Sequence, residues 1–315
     1  MTLTELKYIV AVAREKHFGH AAEACFVAQP TLSVAIKKLE DELGVTIFER
    51  GGSEVTVTPI GAQIVAQAER VLEQTAAIKE IAKQNKDPLA GPLRLGVIYT
   101  IAPYLLPPLV KAMIEHVPQM PLVLQENFTV RLIELLRQGE LDAAIMALPF
   151  ADQGLMMLPL YDEPFVVALP KSHPWASRES IDAQELKSET MLLLGNGHCF
   201  RDQVLEVCPE MSRLSTSGDG IARTFEGSSL ETIRHMVASG IGITVLPSAS
   251  VPDMHAQDGM LRYVPFTDPV PSRRVVIAWR KSFTRVAAIE AIRDAILSCE
   301  LQGVTMVQEE ESKAA

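Results

Sequence analysis

Residues 18–44 read FGHAAEACFVAQPTLSVAIKKLEDELG, and the fold of the N-terminal region follows from how this stretch divides. Phe18 to Cys25 carries Ala21, Ala22 and Ala24, small residues that let a second helix approach closely. FVAQP interrupts the pattern, and Pro30 suits the first turn of a new helix, where its missing N–H costs nothing. From Thr31 to Leu43 the apolar residues Leu32, Ile36, Leu39 and Leu43 recur at the helical period, and Gly44 ends the run. The opposite face offers Thr31, Ser33, Lys37 and Lys38, and residues 29–38 contain no acid. A short helix, a tight turn and a second helix with a polar, basic start is the helix-turn-helix layout, whose second helix enters the major groove of double-stranded DNA. Gln29, Pro30, Thr31, Ser33, Lys37 and Lys38 are therefore the expected DNA-binding residues.

Upstream, Leu3, Leu6, Ile9, Val10 and Ala13 mark a first amphipathic helix. Downstream, Val45–Phe48 and Val55–Val57 are strand-like and joined through Arg50, Gly51 and Gly52. They predict a two-stranded wing, with Arg50 able to reach a DNA phosphate. Thr58 and Pro59 then open a long helix, in which Ile60, Ile64, Gln67, Val71, Gln74, Ile78 and Ile81 recur every three or four residues to about Asn85. That helix spans on the order of 40 Å at the standard rise. Its stripe needs cover: a second copy of the chain, giving a dimer, or the chain's own C-terminal part. KDPLAGP, residues 86–92, is a linker.

Beyond the linker the texture changes to short apolar runs at 93–98, 121–126, 142–148, 165–170, 190–194, 243–247 and 275–279. Amphipathic segments lie between many of them, such as Tyr104–His116, Val130–Gln138 and Ser229–Ala238. This alternation predicts an α/β module with parallel strands and two subdomains flanking a cleft. No run of about 18 apolar residues suggests a membrane span. The N-terminal charges Glu5, Lys7, Arg14, Glu15 and Lys16 argue against a signal peptide, so a cytoplasmic location is expected. The net charge of −10 works against nucleic-acid binding overall, which leaves the acid-free 29–38 segment to supply a local positive field.

The segment 11–50, AVAREKHFGHAAEACFVAQPTLSVAIKKLEDELGVTIFER, resembles the N-terminal domain of LysR-type transcriptional regulators. The resemblance extends over nearly the whole chain, up to the acidic tail QEEESKAA. It implies an N-terminal all-α winged helix-turn-helix domain over 1–58 and a linker and dimerisation helix over 59–90. An α/β effector module of the periplasmic-binding-protein type would follow. Its first regulatory subdomain would comprise 91–162 and 270–301, its second 163–269, and 302–315 would be a disordered acidic tail. The implied partners are double-stranded promoter DNA, RNA polymerase and further copies of the chain, as dimers and tetramers. No cofactor and no metal is expected.

Residues 197–208, GHCFRDQVLEVC, place Cys199 and Cys208 nine positions apart in a chain with four cysteines. This segment resembles the peroxide-sensing branch of the LysR-type family. The resemblance implies that Cys199 is the peroxidatic, redox-active cysteine and Cys208 the resolving one. It carries Thr100 and Thr129 to the peroxide pocket beside His198, Arg201 and Asp202, and implies glutaredoxin or thioredoxin as reductant. FRDQVLEV itself reads as a short helix with Cys199 at its N-terminus, where unpaired N–H groups favour an anion; His198, if protonated, and Arg201 would add to that field. Nine residues of helix span roughly 13 Å, whereas a disulfide needs Cα atoms within about 7 Å, so the pair requires the helix to unwind. Phe200, a bulky ring beside Cys199, puts peroxide access in question. Open alternatives are a regulator that binds a small metabolite between the subdomains, a thiol peroxidase, a solute-binding protein, and buried cysteines with no redox task. A metal site at His198, Cys199 and Cys208 is disfavoured by spacing. Cys25 and Cys299 are expected to be structural.

Overall fold

The computed structural model describes residues 1–49, 55–83, 87–150, 154–207, 224–227, 229–251 and 259–307. Arg50, Gly51, Gly52, Cys208 and residues 308–315 lie outside them. Two compact units are resolved, the first made chiefly of residues 1–86 and the second chiefly of 87–315.

In the first unit, α1 (Leu3–Glu15), α2 (Phe18–Ala24) and α3 (Gln29–Leu43) precede β1 (Phe48–Glu49), β2 (Thr56–Val57) and α4 (Pro59–Lys83). Thr2 and Glu5 form a reciprocal capping box on α1. The imidazole Nδ1 of His17 accepts from the amides of Gly19 and His20 at the start of α2. Ile9, Val12, Leu32, Ile36, Leu39 and Phe48 form the core. Leu43, expected on the buried stripe of α3, is exposed, because Gly44 turns the chain away in a left-handed cap directly after it. The wing strands pair antiparallel but are shorter than expected, two residues each. On α4 Gly61, Val65 and Ala68 are buried, with Ile64, Val71 and Leu72 packed against the same core, while Ile60 and Ile78 are exposed. The expected stripe is thus displaced by one residue where α1 covers the helix.

The second unit holds β3 (Leu93–Ile98), α5 (Ala102–His116), β4 (Leu122–Asn127), α6 (Thr129–Arg137), β5 (Ala143–Ala147) and β6 (Leu155–Pro170). Next come β7 (Met191–Leu194), α7 (Cys199–Val207), β8 (Thr224–Gly227), α8 (Leu230–Ala238), β9 (Thr244–Pro247), β10 (Leu261–Pro265), β11 (Ser272–Arg280), α9 (Val286–Leu297) and β12 (Thr305–Met306). The main sheet runs β10-β6-β11-β5-β3-β4, with β9 and β12 also on β6. The expected parallel strands are present and are combined with antiparallel ones. Among the described residues the strand pairs β3–β4, β3–β5 and β7–β8 are parallel, and the strand pairings made by β6 and β11 are antiparallel. Strand β6 changes partners along its length: Leu155–Pro164 pairs with β11, and Phe165–Pro170 with β9 and β10. Its first half was missed in the sequence because Pro159, Asp162 and Glu163 interrupt the apolar run.

Thr58 joins the wing to α4. Its hydroxyl donates to the carbonyl of Thr46 at 2.7 Å and accepts from the amide of Gly61 at 2.9 Å. A Cβ on Gly61 would clash with the Ile47 carbonyl oxygen, which is backbone and fixed by its bond from the Thr58 amide. Gly61→Ala should therefore cost about 1–3 kcal/mol through overpacking. The check is the first thermal transition of full-length protein, with Ala62→Gly as a control at a neighbouring exposed helical site; an unshifted Gly61→Ala transition would refute the clash.

Candidate functional site

In the parallel pair β3–β4, Ile98 stands opposite Asn127. Thr100 and Thr129 each lie two residues beyond that pair, so both emerge at the carboxyl end of the sheet, where α/β sheets hold ligands. Both are buried, and the Thr129 hydroxyl has no hydrogen-bond partner among the described residues.

Helix α7 is fastened to the same sheet end. His198 presents its ring to Phe128 at 4.8 Å and Tyr99 at 5.9 Å, the residues that immediately precede the two threonines. Gln203 donates to the carbonyl of Leu148, just past β5, at 2.7 Å. Phe200 meets Phe165 of β6 edge to face at 5.1 Å. Gly197 takes φ +97, so a side chain there would be strained. The thiol of Cys199, half-buried, heads the helix held by these anchors.

Beneath the threonines lies a group that sequence reasoning missed. The fully buried Arg273 of β11 donates through Nε to Glu163 Oε2 at 2.7 Å and through Nη1 to Thr100 Oγ1 at 2.8 Å. Its Nη2 donates to the Thr100 carbonyl at 3.2 Å, and the guanidinium lies 5.1 Å from the centre of the Phe200 ring. Glu163 Oε1 accepts from the Ala249 amide at 3.1 Å. The one sequence signal was a pair of charged doublets, Asp162-Glu163 and Arg273-Arg274, inside strand-like runs. The register matches them: Arg273 stands opposite Glu163, and Arg274 opposite Asp162.

Of the five expected pocket residues, Thr100, Thr129 and His198 are gathered at this sheet end. Arg201 instead donates to the Leu194 carbonyl at 2.9 Å, bracing the start of α7 against β7. Asp202 is exposed on the first turn of α7. Burial pushes the His198 imidazole below its ordinary range, so it is neutral near pH 7 and adds no positive field at Cys199. Phe200 is buried in the core and serves as an anchor of the helix. Cys299 is buried just past the end of α9, its thiol donating to the Ala295 carbonyl at 3.2 Å, and Cys25 caps α2 half-buried.

In the first unit, Gln29, Pro30, Thr31, Lys37 and Lys38 are exposed on α3, and Ser33 is half-exposed. Lys38 also has Glu5 at 3.9 Å, an acid from α1 that the 29–38 window did not reveal.

Two family descriptions match the chain: "Bacterial regulatory helix-turn-helix protein, lysR family" over residues 3–62, and "LysR substrate binding domain" over residues 86–298. The chain is 39% identical to the DNA-binding transcriptional dual regulator OxyR of Escherichia coli K12 over 94% of its length and 95% of that protein's. A full-length OxyR structure from Pseudomonas aeruginosa superposes with a TM-score of 0.70 at 53% identity, covering 98% of this chain and 99% of that one. A hydrogen-peroxide-bound OxyR mutant from Corynebacterium glutamicum gives a TM-score of 0.61 at 34% identity, covering 94% and 91%.

A histidine that is harder to protonate when folded than when unfolded binds fewer protons in the native state. Stability conferred by neutral His198 is therefore complete above the unfolded value near 6.5 and is lost as pH falls below it. The Tm difference between wild type and His198→Gln should accordingly shrink from pH 8 to pH 5; a constant difference would refute the burial argument. Arg273→Met should destabilise by about 3–5 kcal/mol, because it strands a buried carboxylate, and adding Glu163→Gln should recover much of that loss in denaturant titrations.

Proposed function

The chain belongs to the LysR family of bacterial helix-turn-helix regulators, and from that premise we propose that it is a cytoplasmic, hydrogen-peroxide-responsive activator of antioxidant genes. In this reading peroxide enters beside Thr100, Thr129 and His198. The Cys199 thiolate attacks one peroxide oxygen, the O–O bond breaks, and hydroxide leaves and is protonated to water. Cys199 is thereby oxidised to a sulfenic acid. Neutral His198 and the threonine hydroxyls are the hydrogen-bonding groups available to the departing oxygen. The Cys208 thiolate then attacks the Cys199 sulfur, the S–S bond forms, and a second hydroxide leaves as water. A dithiol reductant such as glutaredoxin or thioredoxin reverses the step. In this reading the disulfide serves to reshape the protein, whereas in a thiol peroxidase the same chemistry would serve sustained turnover.

The observation that carries this reading is that α7 runs unbroken from Cys199 to Val207. Eight residue steps of helix separate those Cα atoms by roughly 12 Å. One further Cα step is only about 3.8 Å, so no placement of residue 208 brings it within the ~7 Å a disulfide needs while the helix persists. Closing the bond must unwind α7. Unwinding releases Phe200 and Val204, each worth about 1.5–3 kcal/mol of burial, and frees the Gln203 anchor. The remodelled segment re-spaces the DNA-binding arms of a dimer or tetramer on the promoter, where RNA polymerase responds.

After one equivalent of peroxide, intact mass and peptide mapping should show a 199–208 disulfide in wild type. They should show a retained sulfenic acid in Cys208→Ser and no reaction at this segment in Cys199→Ser. Amide exchange across 199–207 should accelerate on oxidation of wild type only. Unchanged exchange in a fully disulfide-linked sample would sink the remodelling step. A normal response of Cys199→Ser would redirect the reading to a metabolite-sensing regulator.

A further inference from the structure

The exposed face of α3 is not purely polar. Its buried stripe, Leu32, Ile36 and Leu39, fixes the opposite side of the helix, and Pro30, Val34 and Lys37, spaced by four and three residues, run down the centre of that outward side. Val34 is 68% exposed there. In the turn between α2 and α3, Phe26 is 96% exposed and holds φ +56, a left-handed conformation that aromatic residues rarely adopt. Two side chains that would ordinarily be buried thus stand in water beside Gln29, Ser33 and Lys37, and one does so on a backbone that disfavours it. Water gains nothing from this arrangement. A partner with apolar groups set among hydrogen-bonding ones would. The thymine C5-methyl in the major groove of duplex DNA is such a group, the apolar element of the base-edge code.

We propose that Phe26 and Val34 are DNA-reading residues that pack on thymine methyl groups, giving the protein a preference for thymine at the positions facing the start and middle of α3. The proposal rests on the reading that α3 enters the major groove. Gln29 and Lys37 then supply hydrogen bonds and a phosphate or base contact, while Phe26 and Val34 distinguish thymine from cytosine. The positive φ at Phe26 is retained because the ring is needed at that point on the surface.

The test uses full-length reduced protein and a duplex selected by the wild type from a randomised pool, in two versions: as selected, and with every thymine replaced by deoxyuridine. The replacement removes only the methyl groups. Wild type should bind the uracil duplex at least roughly four-fold more weakly, the worth of one buried methyl group. Phe26→Asn and Val34→Ala should bind the thymine duplex more weakly, and the double variant should bring the thymine-to-uracil ratio near one. Neither substitution endangers folding, since asparagine tolerates the left-handed region and alanine is the better helix former, so thermal stability should hold or rise. A wild-type ratio of one, or an unchanged ratio in the double variant, overturns the proposal. Gln29→Ala and Lys37→Ala report separately on the groove reading: if they weaken binding while the ratio is unaffected by Phe26 and Val34, α3 still enters the groove but reads no methyl groups through these two residues.

Discussion

One buried guanidinium holds the effector site together. Arg273 has its side chain entirely out of water, and a charge so placed is tolerated only if each donor has a partner. Its partners are Glu163 on β6, the hydroxyl and carbonyl of Thr100 past β3, and the face of Phe200 on α7. Three elements distant in sequence are therefore tied to one side chain. Because the penalty for an unpaired donor is large, their mutual geometry is narrowly set. Thr100 is held by Arg273, whereas Thr129 at the same sheet end keeps a hydroxyl without a partner among the described residues. That difference sets one hydroxyl held by the protein beside one that is not.

Helix α7 is placed by the same junction. Its anchors include Phe200 in the core, Gln203 on the Leu148 carbonyl, Arg201 on the Leu194 carbonyl, and His198 against two rings. A nine-residue helix has little stability of its own and owes its shape to such contacts.

The two units make contrasting use of apolar surface. In the effector unit an aromatic group, Phe200, that the sequence leaves looking like an obstacle beside Cys199 is an internal peg. In the N-terminal unit, Phe26 and Val34 belong by type to a core yet stand at the surface next to polar, basic neighbours. Residue type alone does not distinguish these cases; the direction of each side chain from its element does.

The local pattern determined much of this protein. Proline and glycine punctuation around QPTLS and Gly44, and the period of Leu32, Ile36 and Leu39, specify α3 because those signals act within a few residues. Runs such as 93–98 and 275–279 are strands because their apolar residues are continuous. Helix α7 was legible for the same reason. What no window of sequence contains is register. The pairing of Ile98 with Asn127 puts Thr100 and Thr129 at one sheet end, and that of Arg273 with Glu163 builds the buried pair beneath them. Likewise, only the packing of α1 decides which stripe of α4 is covered, and only the environment of His198 decides that its ring is neutral. Periodicity reports what each segment tends to bury. Burial itself, and the charge states and contacts that depend on it, are settled by neighbours that lie far away along the chain.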